Sequence, residues 1–318
     1  MGDFKDFDTV FSFDPTYAYD HKVIDTILSN RRTLENELLF DKLLRLLHIN
    51  QASKLYPPRS NQDLRSLHHK IVSSAAPDHH KLSLLYYILK DVKTPESLTT
   101  RFSAKFHVPA KYETVMEGLW HMDRMQFERA LGYLTQPSLA PTFPEEILHT
   151  LIRHGTQVDR SLPLVYFHTV SPAVTNPKVL EAFFSYLSQC SVTEAFYFAR
   201  GQPENIHRHL LEQLASLVLS KQSGEERATR ATEFVDLPLS DEEESWIEEY
   251  LHEGKGKTLH GARDTVMARK ISTGKFNEAL LNGKILSGRL FDGINWENLK
   301  AGVNLGLGPR KDDRAAIQ

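Results

Sequence analysis

Residues 116–151, MEGLWHMDRMQFERALGYLTQPSLAPTFPEEILHTL, read as helix, tight break, helix, proline-rich loop, helix. Met116, Leu119 and Trp120 fall on one helical stripe. Phe127, Ala130, Leu131 and Leu134 fall on a second, at i, i+3, i+4 and i+7. Gln136-Pro137 ends that helix. Pro144 followed by Glu145-Glu146 opens the next, because proline fits the first turn and acids suit the positive N-terminal end. Short amphipathic helices joined this tightly cannot each bury a face alone, so they must pack on one another. The arrangement favours surfaces for partners over catalytic pockets.

The same grammar recurs. Asp123 to Leu131 places a polar break, then an aromatic, then Ala-Leu three and four residues later. Gly274-Lys275-Phe276-Asn277-Glu278-Ala279-Leu280 repeats that spacing, and Ser191 to Phe196 is a looser version with Val192 in the aromatic's place. The small alanine lets a neighbouring helix approach while the aromatic fills the space between turns. Because the intervals between copies are unequal, a fixed-period array is excluded. The expected fold class is all-α, an irregular α-solenoid of stacked helix pairs, with Trp120, Phe127, Ala130, Leu131 and Trp246 in its core.

Helices are expected near 21–30, 33–49, 61–73, 79–92, 95–105 and 110–121, then near 125–134, 145–154, 158–168, 177–189, 192–199 and 204–221. Asn61 and Asp78 read as N-caps. Residues 1–20 form an aromatic, acidic arm, with Phe4, Phe7, Phe11, Phe13, Tyr17 and Tyr19 spaced to lie on a hydrophobic groove of this chain or of a partner. Lys221 to Arg230 is polar and weakly patterned, and Glu233 to Ser240 reads as an extended turn. Ser240 then caps the helix DEEESWIEEYLHEG, whose first-turn acids complement the macrodipole. Further helices are expected near 257–272 and 275–282, so the helical domain runs over 21–283.

From 284 to 318 the pattern changes. Ile285, Leu286, Leu290, Phe291, Ile294, Trp296 and Leu299 are interrupted by Gly288 and Gly293, and glycines cost ~1 kcal/mol each inside a helix. Too apolar for a solvated linker, the segment either caps the last helices or docks on a partner. In the second case Leu290, Phe291, Ile294 and Trp296 are the binding anchors. The end, PRKDDRAAIQ, has the composition of a disordered tail.

Chemistry-bearing motifs fail on inspection. Gly254-Lys255-Gly256-Lys257-Thr258 invites a phosphate-loop reading. Such a loop needs a glycine where Leu251 stands, and a preceding strand. Adjacent histidines at 68–69 and 79–80 point ~100° apart on a helix, so neither pair chelates one metal readily. No H-E-x-x-H or G-x-S-x-G occurs. No catalytic residue, cofactor, metal or small-molecule substrate is expected. Charge is balanced, 38 Lys+Arg against 41 Asp+Glu, which argues against a dedicated nucleic-acid or anionic-membrane surface. A single cysteine, Cys190, excludes an internal disulfide and is expected to be a buried structural thiol in a reducing compartment. No apolar run approaches the ~20 residues that span a bilayer. The first residues lack a signal-peptide plan, so a soluble intracellular protein is expected.

Two segments carry a family resemblance. Leu119-Trp120-His121-Met122-Asp123-Arg124-Met125-Gln126-Phe127-Glu128-Arg129-Ala130-Leu131, followed by Gln136-Pro137 and the helix from Phe143-Pro144 through Ile147-Leu148, is the first. Leu237-Pro238-Leu239-Ser240 through Trp246, with its Glu-Tyr-Leu ending, is the second. In order and spacing they resemble the ELYS-like domain family, over roughly residues 30–280. That family comprises nuclear pore components of the Y-shaped outer-ring subcomplex, with very large animal members and short, essentially helical fungal ones. The resemblance implies a non-enzymatic scaffold or adaptor nucleoporin at the nuclear envelope, with other outer-ring nucleoporins as partners, supporting pore assembly, protein transport and mRNA transport. The tail around Pro309-Arg310-Lys311 lacks the Arg-Gly-Arg-Pro core of an AT-hook, so DNA binding is not implied. The alternative is a helical adaptor of another assembly, of the vesicle-coat or proteasome-lid kind.

Overall fold

The computed structural model describes residues 3–11, 19–92, 95–137, 139, 142–220, 224–276, 278, 279, 301 and 305. Among them every regular element is helical. The chain groups into two compact units, residues 1–182 and 183–318.

In the first unit, α1 (Phe7–Val10), α2 (His21–Thr33), α3 (Leu39–Leu46) and α4 (Ala52–Leu55) precede α5 (Asn61–Ser73) and α6 (Asp78–Lys90). They are followed by α7 (Pro95–Phe106), α8 (Ala110–Asp123), α9 (Phe127–Leu134), α10 (Pro144–Arg153) and α11 (Leu162–Val170). Every residue of α6 from Lys81 to Leu89 is buried. A helix that is apolar on nearly all sides must be surrounded, and α6 meets α5, α7 and α8. α8 in turn packs on α9, α3 and α2. Gly118 permits the closest of these approaches, since a Cβ there would stand 2.4 Å from Leu134 Cγ of α9.

α12 (Pro177–Cys190) runs across the boundary at 182–183. The second unit then contains α13 (Val192–Arg200), α14 (Glu204–Ser220), α15 (Glu225–Val235), α16 (Asp241–His252) and α17 (Ala262–Ser272). α14 packs against α13, α15 and α16, burying Leu210, Leu211, Leu214, Ala215, Val218 and Leu219. No described helix is long and apolar enough to cross a membrane.

Several sequence expectations are corrected. Residues 34–38 are not helical, because Glu35 and Asn36 take left-handed backbone angles (φ 57° and 65°) and turn the chain. The helix caps before α5 and α6 are Ser60 and Pro77, one residue earlier than expected; Ser60 accepts the N–H of Asp63. α15 forms where a weakly patterned stretch was expected. Its only buried residue is Phe234, so no apolar period announces it, while Glu, Arg and Ala favour the helix locally. Cys190 is exposed at the end of α12, not buried. The expected helix near 275–282 falls partly outside the described residues. So do Phe13 and Tyr17 of the arm and all of residues 284–300, including Leu290, Phe291, Ile294 and Trp296.

Candidate functional site: buried polar staples and an apolar cleft

The first unit is tied together by two buried carboxylates. Asp91 ends α6, where a negative charge opposes the helix macrodipole. Its side chain is wholly enclosed, so it requires donors. The hydroxyls of Tyr19 (3.0 Å) and Tyr56 (2.6 Å) donate to one oxygen. The indole N–H of Trp120 (2.8 Å) and the guanidinium of Arg124 (2.5 Å) donate to the other. Burial opposes the charge on Arg124, yet the adjacent Asp91 carboxylate raises its proton affinity above the ordinary guanidinium value. Tyr19 and Tyr56 are pushed well above the ordinary phenol value, first by burial and then by Asp91. Lys90 and Arg124 each place a cation 5.0 Å from the Trp120 ring.

Asp123, the last residue of α8, serves another helix. α3 begins after Leu38, an N-cap residue whose side chain cannot cap. Asp123 accepts the free N–H groups of Leu39 (2.8 Å) and Phe40 (3.0 Å), as a local N-cap would, and also the Tyr87 hydroxyl (2.7 Å). Complete burial pushes its carboxyl up to about 7, against the pull of those three donors. Beside it, Arg31 forms a two-pronged pair with Asp41 (2.9 and 2.8 Å) and donates to the Tyr56 carbonyl (2.8 Å). These groups join α2, α3, α6 and α8.

The second unit repeats the device around residues 234–244. Buried Arg269 of α17 donates to the carbonyls of Phe234 (2.6 Å), Val235 (2.7 Å) and Leu237 (2.9 Å), and to both oxygens of Glu244 (2.6 and 3.1 Å). A helix leaves its last carbonyls short of intrahelical donors, and Arg269 supplies donors to those of Phe234 and Val235 at the end of α15. Arg200 of α13 donates to Glu243 (2.8 and 2.6 Å) and to the Pro238 carbonyl (2.8 Å). Glu243 also completes the capping box with Ser240: the Ser240 N–H donates to it at 2.6 Å, and the Glu243 N–H donates to the Ser240 hydroxyl at 3.3 Å.

The residues expected in the core divide. Phe127, Ala130 and Leu131 are buried on α9. Trp120 and Trp246 are instead half-buried: each has an arginine over its ring, the largely buried Arg124 and the more exposed Arg208 respectively. Sequence reasoning found Trp120, Asp123, Arg124 and Ser240 as motif letters but missed Asp91, Arg31, Tyr56 and Arg269. The one available signal was charge set at the end of an apolar run, as with Lys90-Asp91 between Leu89 and Val92.

The N-terminal arm docks within the first unit. Phe7 and Phe11 meet the edge of His68, Phe4 meets Phe106, and Arg65 lies 4.0 Å over the Phe7 ring while pairing with Asp8 at 2.7 Å. The His68 Nε2 bonds the Phe4 carbonyl at 3.0 Å.

The first unit also contains an apolar cleft of about 620 Å³ between α3, α6 and α8, lined by Leu43, Leu46, Leu47, Leu84, Val115 and Met116. Among the described residues, no group of three or more His, Cys, Asp or Glu is placed to hold a metal ion. Gly254 to Thr258, the phosphate-loop lookalike, ends α16 and continues as a short 3-10 turn in which Gly256 is buried against Tyr250.

A family model, ELYS, described as nuclear pore complex assembly, matches residues 37–254. The chain is also similar to "Uncharacterized protein ely5" of Schizosaccharomyces pombe (strain 972 / ATCC 24843), 28% identical over 281 residues that cover 87% of this chain and 89% of that protein. The matched region contains Asp41, Asp91, Asp123, Arg200 and Glu243, and both motif segments lie inside it. The chain belongs to the ELYS family, whose members act in nuclear pore complex assembly.

Proposed function

We propose that this protein is a non-enzymatic scaffold or adaptor subunit of the nuclear pore, joined to the Y-shaped outer-ring subcomplex through other nucleoporins. In this reading it acts at the nuclear envelope, supporting pore assembly and transport of protein and mRNA. The observation that carries the reading is the ELYS match across 37–254. Its two motif segments are spent on internal bonds, at Asp91 and Asp123 in one unit and at Arg200 and Arg269 in the other. Polar residues committed to holding helices in place are what a scaffold needs.

Leu290, Phe291, Ile294 and Trp296 enter the proposal as docking anchors. Truncation after Asn282 should then leave thermal unfolding unchanged but release the partners. A markedly lower melting temperature would make the segment a cap. The subunit reading is tested by a fluorescent tag on the chromosomal copy. A continuous rim at the nuclear envelope is expected, and diffuse or vesicular signal would point to an adaptor of another assembly.

A further inference from the structure

The cleft between α3, α6 and α8 has properties that the internal staples do not account for. Leu46, at its rim, is 59% exposed, although the neighbouring Leu43, Leu44 and Leu47 are all buried. The Ser83 hydroxyl at its floor is already engaged, donating to the His79 carbonyl at 2.7 Å. A small-molecule site needs convergent polar groups to orient its ligand, so the lining suits a row of apolar side chains better.

The charge around it is one-sided. The ionisable groups of the lining other than Tyr112 are His48, His80 and Lys111, and no acid is among them. Lys111 is exposed and makes no ion pair with any described residue; its ammonium rests 5.2 Å from the Tyr112 ring. An apolar trough with an uncommitted cation on one wall is the complement of an amphipathic helix with an acid beside its apolar stripe.

We propose that this cleft is a docking groove for an amphipathic helix of a partner protein. The helix lays its apolar side chains against Leu46, Ala76 and Val115, above the buried floor of Leu43, Leu84 and Met116, and sets a carboxylate against Lys111. The proposal rests on the scaffold reading only in that the chain works by holding partners.

The test places a photo-crosslinking amino acid at position 46 of the full chain, expressed as the sole copy in its host, and maps the crosslinked peptide by mass spectrometry. The expected peptide carries apolar residues at helical spacing with Asp or Glu on their flank. Lys111→Glu, a change at an exposed position that circular dichroism should show to be folded, should lower the crosslink yield roughly tenfold. Exchanging the partner's acid for lysine should restore it. No crosslink, a crosslink to this chain or a second copy of it, a peptide without the flanking acid, or a yield indifferent to Lys111→Glu would each overturn the assignment. An acid-flanked helix from a protein outside the pore would keep the groove and overturn the scaffold reading instead.

Discussion

The Asp123 carboxylate accepts the backbone N–H of Leu39 at 2.8 Å, across 84 residues of chain. One helix's last residue is thereby another helix's cap. A residue within the family motif fixes α3 onto α8, so the motif reads as joinery.

Removing that cap should be costly. Asp123→Ala leaves the N–H groups of Leu39 and Phe40 and the Tyr87 hydroxyl without acceptors in a buried place. At ~1–3 kcal/mol for each unsatisfied group, partly relieved by relaxation, a loss of about 3–5 kcal/mol is expected in urea unfolding. A loss under ~1 kcal/mol would mean that water replaces the carboxylate.

The same group makes a pH prediction. Asp123 holds its proton up to about pH 7 in the fold, from an ordinary carboxyl value of 3.8. Between those values the folded state binds more protons than the unfolded chain, so raising the pH removes stability. Asp123→Asn does not titrate there. The stability of the natural protein relative to that variant should therefore fall from pH 5 to pH 7.5, by at most ~1.4 kcal/mol per pH unit. A gap that is flat or widens in favour of the natural protein would contradict the raised value.

His68 runs in the opposite sense. Burial holds it below 6.5, while its bond to the Phe4 carbonyl pulls the other way. Its contribution to stability is complete above pH 6.5 and lost as pH falls through the lowered value. Proton NMR of His68 should show a midpoint below 6.5, and detaching the arm with Phe7→Ala should move it back toward 6.5. An ordinary midpoint in the intact chain would show that the arm does not cover it.

In the second unit, Arg269→Lys should destabilise nearly as much as Arg269→Met. A lysine cannot reach three carbonyls and both oxygens of Glu244 from one position. Each variant is expected to cost about 3 kcal/mol or more, measured by chemical unfolding. A lysine variant of natural stability would mean that only the charge matters.

Leu131→Ala should cost about 2–5 kcal/mol through the cavity it leaves under α8. A change under ~1 kcal/mol would place that stripe against solvent.

Much of this was legible in the sequence because helices announce themselves by period and cap. Ser240 with Glu243, Asn176 before Pro177, and the stripe from Phe127 to Leu134 are local patterns, and they lie where expected. α15 was not legible, since a helix that buries one phenylalanine has no apolar period. The start of α3 was misjudged because Glu35 and Asn36 carry no glycine to mark their left-handed turn. The staples were invisible for a different reason. Asp91 and Arg124 are 33 residues apart, and Arg269 and Glu244 are 25 apart, so only the packed helices bring them together. The half-burial of Trp120 follows from the same network: its N–H must reach Asp91 while its ring stays beside Lys90 and Arg124.

The central claim, a pore scaffold subunit held together by its own family motifs, is tested most directly by affinity purification of the tagged chromosomal copy with quantitative mass spectrometry. The account predicts recovery of outer-ring nucleoporins in near-equal amounts with this chain, and their reduced recovery from an Asp123→Ala variant whose first unit is destabilised. Recovery of coat or proteasome-lid subunits instead, or of no stable partner from the natural protein, would contradict it.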